Sequence, residues 1–111
     1  MTYLFVFMGG GAGSLIRYLL QLAIPVSSFP WATLTANVFA SLVLGAVSIS
    51  PIESSWKIFL ITGFCGGLST FSTFSLETVR LAQQGQWLLV AMNILMNIAV
   101  CMLGIYLIVK K

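Results

Sequence analysis

The stretch "GFCGGLSTFSTFSLETVR", Gly63 to Arg80, interrupts a long apolar chain with two adjacent glycines and then a run of hydroxyls. Phe71 and Phe74 stand three residues apart among Ser69, Thr70, Ser72, Thr73 and Ser75. Gly66 and Gly67 can adopt φ > 0, so the pair predicts a break in the helix that carries them. A broken helix leaves carbonyls without donors at the end of its first half, and that end carries a partial negative charge. The competing reading is a simple kink whose carbonyls bond to water. The surrounding sequence gives the stretch its setting.

Of the 111 residues, 59% are hydrophobic and 6% charged, and the mean hydropathy is +1.07. A water-soluble domain carries about 25% charged residues, so this chain reads as an all-α membrane protein. Crossing a bilayer takes about 20 apolar residues. Four such spans are expected, at about 3–24, 31–50, 56–82 and 86–109, forming a single transmembrane domain over 1–111. Pro25, Pro30, Pro51 and Gly85 fall between them. The first span lacks a basic lead and carries Arg17 near its far end, so it is expected to remain in the protein as a helix rather than act as a cleaved signal. Cys65 and Cys101 lie inside apolar spans, where cysteine serves as small apolar filler.

The net charge of +3 has no basic cluster behind it, so nucleic acid is not an expected partner. With four spans, Lys57, Lys110 and Lys111 share one side of the membrane, and Arg17 and Arg80 lie on the other. Three against two is a weak positive-inside bias. It is compatible with a fixed orientation, held by Lys110 and Lys111, and equally with insertion both ways round. Four helices barely enclose a polar path, so an oligomer is expected, most simply a dimer.

The chain has no histidine, and its two acids are Glu53 and Glu77. No acid–base pair, metal-ligand cluster or Ser/His/Asp set can be assembled from it, which excludes the common enzyme classes. Gly9, Gly10, Gly11 and Gly13 lack the strand and the Lys-Ser/Thr of a phosphate loop. Small residues so spaced in a span allow close helix packing.

Transport remains as the leading class. Polar residues within spans are costly and mark pathways. Here they are Asn37, then Asn93 and Asn97 one helical turn apart, and the hydroxyls of the third span. Amides and hydroxyls donate hydrogen bonds and bring no fixed negative charge. A phenyl ring has an electropositive edge, and Phe71 and Phe74, at i and i+3, share a helix face. This set suits a small, strongly hydrated anion that exchanges water for donors. Each group also has a plainer use: hydroxyls bond back to their own helix, Phe faces lipid, and Asn joins helices. Carbonyls freed by a break near a dimer axis would suit a small cation, sodium rather than calcium because no carboxylate adjoins the break.

Three motifs then resemble one family. "GGLSTFSTFSLE" (Gly66 to Glu77) closely resembles the signature of the Fluc/CrcB fluoride channels, "GGGAGSLIRY" (Gly9 to Tyr18) their first-helix motif, and "FPWATLTANVFASLVLG" (Phe29 to Gly45) the segment carrying their pore asparagine. The resemblance covers essentially the whole chain. It implies an antiparallel dual-topology dimer, or pairing with a homologous subunit, in the inner (plasma) membrane. It also implies a third helix broken at mid-membrane and two passive fluoride pores. A structural sodium ion at the dimer interface would be held by the backbone carbonyls of Gly66 and Ser69. Phe71 and Phe74 fall on the phenylalanine box, Asn37 on the pore asparagine, and Ser72 and Thr73 on the polar track. Arg17 falls near the pore mouth and Glu77 on a glutamate after the box. Ala32 and Ala40 replace common glycines, Ser69 a common threonine, and Asn97 an expected serine in the fourth span, where it bears on the polar track. Two other classes compete: a small multidrug-resistance-type proton-coupled antiporter, which needs an acid that the first span lacks, and a noncatalytic membrane assembly subunit, which leaves the hydroxyl–Phe cluster idle.

Overall fold

A computed structural model describes residues Met1–Lys110; Lys111, counted above with Lys110, lies outside the described residues. The described residues form α1 (Thr2–Ala23), α2 (Trp31–Ser48), α3 (Ser54–Lys57), a π-helical segment (Ile58–Cys65), α4 (Gly66–Leu68), α5 (Phe71–Gln83) and α6 (Trp87–Val109). Helices α1, α2 and α6, and the composite stretch Ser54–Gln83, are each long and apolar enough to cross a membrane. Trp31, Trp56, Trp87 and Tyr3 sit exposed near helix ends, the positions that aromatic rings take at a bilayer interface.

The glycines of α1 set its approach to the third span. A Cβ on Gly9 would collide with the Phe59 carbonyl oxygen, and one on Gly13 with the Phe64 carbonyl oxygen. From the opposite side, a Cβ on Gly67 would collide with the Gly10 carbonyl oxygen, and one on Gly63 would stand 2.9 Å from Gly9 Cα. Backbone therefore meets backbone along this seam. Gly11, in the same run, has no neighbour within 4 Å.

Gly66 and Gly67 are helical: Gly66 has φ −63° and ψ −37°, and the one positive-φ glycine among the described residues is Gly85. The expectation that these glycines supply the unusual backbone thus gives way to a packing role at Gly67. Helical geometry stops after Leu68. Ser69 (φ −77°, ψ 155°) and Thr70 (φ −150°, ψ 121°) are extended, and the helix resumes at Phe71. Thr70 caps the new helix, its Oγ1 accepting the Thr73 N–H at 3.1 Å, the usual device for a free N-terminal donor.

Helix α1 packs on the π-helical segment and α4, α2 lies between that half and α6, and α5 rests chiefly on α6. Ala36, Ala40, Cys65 and Leu68 form the buried core, with Ile16, Leu20, Val43, Leu44 and Phe64 against it. Gly45 lets α2 approach the Ile105 backbone and Ile108 on α6, where an added Cβ would sit 3.5 Å from each. After α5, Gly85 takes φ +76°. Its N–H bonds Ala82 O at 3.0 Å and the Gln86 N–H bonds Leu81 O at 3.0 Å, the paired bonds of a Schellman turn. That turn sends α6 back alongside α5.

Candidate functional site

The extended pair Ser69–Thr70 redirects backbone bonds. Continuation of the helix would carry the Thr70 N–H to Gly66 O; it goes instead to Asn37 Oδ1 at 2.8 Å. Continuation would likewise carry the Thr73 N–H to Ser69 O; it goes to Thr70 Oγ1. The Gly66 and Ser69 carbonyls therefore both lack their helical donors. The neighbouring carbonyls are served: Cys65 O accepts the Ser69 N–H at 3.0 Å and the Ser69 hydroxyl at 2.8 Å. Gly67 O accepts Arg17 Nε at 3.1 Å and, at 3.5 Å, the Ser14 hydroxyl. Arg17 thus places its cation at a helix C-terminus, where the macrodipole favours it.

From Asn37 a string of side chains crosses the molecule. Asn37 Nδ2 donates to Asn97 Oδ1 at 2.8 Å. Asn97 Nδ2 donates to Asn93 Oδ1 at 2.9 Å and to the Asn93 carbonyl at 2.8 Å. Asn93 Nδ2 donates to Thr78 Oγ1 at 3.0 Å, and the Thr78 hydroxyl donates to Phe74 O at 2.7 Å. The string runs from α2 through α6 to α5 and ties the three helices together.

A groove of about 480 Å³ opens beside it, lined by Asn37, Ser69, Thr70, Phe71, Phe74 and Asn97, with Ser41, Ile94, Ile98 and Cys101 completing the wall. The Phe71 and Phe74 ring centroids are 5.7 Å apart at 44°, and Phe71 is 78% exposed on the single chain. The groove combines amide and hydroxyl groups with two phenyl rings and contains no acid.

Other singled-out residues stand elsewhere. Ser72 is exposed, its Oγ 3.4 Å from Thr70 Oγ1, and neither Ser72 nor Thr73 lines the groove. Glu77 lines a second cavity of about 540 Å³ with Arg80, Gln21 and Gln84. Glu77 Oε1 and the hydroxyl of the fully buried Thr33 have no hydrogen-bond partner among the described residues. Thr33 is not singled out by the sequence, and Thr78 enters only as one of the hydroxyls of the third span. Thr78 carried a signal: with Phe71 and Phe74 it completes an i, i+3, i+7 face. Cys65 is buried, whereas Cys101 is only partly so and lies on the groove.

Residues 4–109 match the family described as CrcB-like protein, Camphor Resistance (CrcB). The chain belongs to the CrcB family. It is 43% identical to a Rhodospirillum rubrum protein named as a fluoride-specific ion channel, over 96% of this chain and 91% of that protein. A Pyrococcus abyssi channel of the same name is 45% identical with the same coverage, and one from Paramagnetospirillum magneticum is 38% identical. With its four apolar spans, this CrcB chain is a multi-pass membrane protein and not an enzyme.

Proposed function

We propose that the chain conducts fluoride passively across the plasma membrane, as one half of an antiparallel dual-topology dimer with two pores, formed with its own copy or a homologous subunit. The observation that carries this reading is the groove in which the Asn37 amide and the Phe71 and Phe74 rings converge. Fluoride is small and tightly hydrated, so a path for it must replace water with donors at little cost. Asn37 supplies an N–H, and the ring edges supply positive electrostatic potential without binding tightly. The groove is open on one side, with Phe71 standing free at its edge, and a second copy would close it. The names of the relatives agree with this substrate.

Two carbonyls of each chain, Gly66 O and Ser69 O, would hold a structural sodium ion where two interruptions meet at mid-membrane. Their helical donors are diverted to Asn37 and Thr70, so their lone pairs are available to a hard cation. When bound, sodium would offset the two helix ends that face one another. Arg17 holds the adjoining Gly67 carbonyl in place, and Glu77 edges the second cavity. Proton-coupled antiport is disfavoured because α1 carries no acid.

Efflux from proteoliposomes tests the proposal. Purified chain should release trapped fluoride without a proton gradient and pass little chloride. Equal fluoride and chloride flux, or none, would sink it.

A further inference from the structure

Asn93 is completely buried, lies outside the groove and has no part in the proposed conduction. A buried amide in an apolar helix is costly unless bonded, and its bonds here have a direction. The Thr78 hydroxyl hydrogen goes to Phe74 O, so Thr78 offers Asn93 only a lone pair and accepts from its Nδ2. Asn93 must therefore turn Oδ1 toward Asn97. An amide nitrogen has two hydrogens, and Asn97 spends both on Asn93, at 2.8 and 2.9 Å. Asn97 then has only Oδ1 left for Asn37, which answers with Nδ2 at 2.8 Å. The Asn37 oxygen is turned the other way, onto the Thr70 N–H. Its second N–H reaches Thr70 O only at 3.5 Å, a loose contact, so this donor stays available in the groove.

We propose that Asn93 is a positioning residue for anion recognition: through Asn97 it sets the amide polarity of Asn37, so that the groove presents an N–H rather than an oxygen. The inference rests on the fluoride-channel reading. With Asn93 removed, Asn97 is free to reverse and offer its own N–H groups to Asn37, where they compete with the Thr70 N–H for the Asn37 oxygen and draw it toward Asn97.

The test uses the full chain in proteoliposomes, with fluoride and chloride efflux measured for the wild type, Asn93→Leu, Asn97→Ser and the double variant. Asn93→Leu should lower the fluoride-to-chloride flux ratio about tenfold, the scale of one misplaced hydrogen bond to an ion. In the Asn97→Ser background, adding Asn93→Leu should change the ratio by less than about twofold, because residues acting through one another are not additive. A wild-type ratio in Asn93→Leu overturns the proposal. So does an equal drop in both backgrounds, which would mean that Asn93 acts through packing alone. If leucine prevents folding, Thr78→Val cuts the string at its other end with little change of shape, and the same fall in ratio is expected; an unchanged ratio overturns the proposal. A wild type that passes no fluoride would sink the channel reading instead. The polarity claim is then decided by the side-chain amide resonances of Asn37, which must shift in Asn93→Leu; unshifted resonances overturn it.

Discussion

Phe71 is 78% exposed on the single chain, so its ring adds little to the stability of that chain. Phe71→Ile should therefore leave the elution profile of the purified protein unchanged while cutting fluoride efflux about tenfold or more, as expected when a group acts on the moving ion. Unchanged efflux in both Phe71→Ile and Phe74→Ile would count against a role for the rings. Gly67 makes the opposite case. Its Cβ position is filled by the Gly10 carbonyl oxygen, a backbone atom that cannot swing aside. Gly67→Ala should lower stability by about 1–3 kcal/mol, the usual penalty of overpacking, read as a fall in thermal midpoint in detergent.

The third span shows what an element can and cannot disclose in its sequence. Its length and apolarity marked it as a crossing segment, because about 20 such residues have few other uses. Gly66 and Gly67 marked the right neighbourhood but pointed to the wrong residues for the extended backbone. Glycine serves both unusual φ and close approach, and the sequence does not say which. Here Gly67 serves approach, and the extended residues are Ser69 and Thr70. The groove was legible in part. Asn37, Phe71, Phe74 and Asn97 stood out as polar or aromatic groups in suggestive positions, and all four line it. Ser72 and Thr73, from the same run, lie off it, since residues one and two along a helix from Phe71 do not share the face that Phe71 and Phe74 share. Thr78 stayed hidden because a membrane threonine normally bonds back to its own helix; this one does so and accepts from Asn93 as well. The end of α5 carries its own prediction. Gly85 has φ +76°, so Gly85→Ala should cost about 1 kcal/mol through left-handed strain alone, again read from the thermal midpoint. Nothing lies within 4 Å to clash with the new methyl group.

At the scale of the whole molecule, the proposed antiparallel dimer makes demands that can be measured. Topology reporters fused to the C-terminus should show activity on both sides of the membrane if the chain inserts both ways round. A reporter active on one side alone would count against a homodimer of opposed chains and favour a paired subunit. If the proposed sodium site exists, replacing sodium with a large organic cation should lower the thermal midpoint of the purified protein, because an ion that binds only the proposed assembled state would stabilise it by mass action. An equal midpoint in both salts would remove the ion from the account. The glycine seam between α1 and the third span also bears on how the sequence can drift. In a library covering every single substitution, Gly9, Gly13, Gly63 and Gly67 should tolerate almost no replacement, whereas Gly11, in open space, should accept most small residues. The glycine run of α1 looks uniform on the page, but it would vary over generations as two frozen positions with a free one between them.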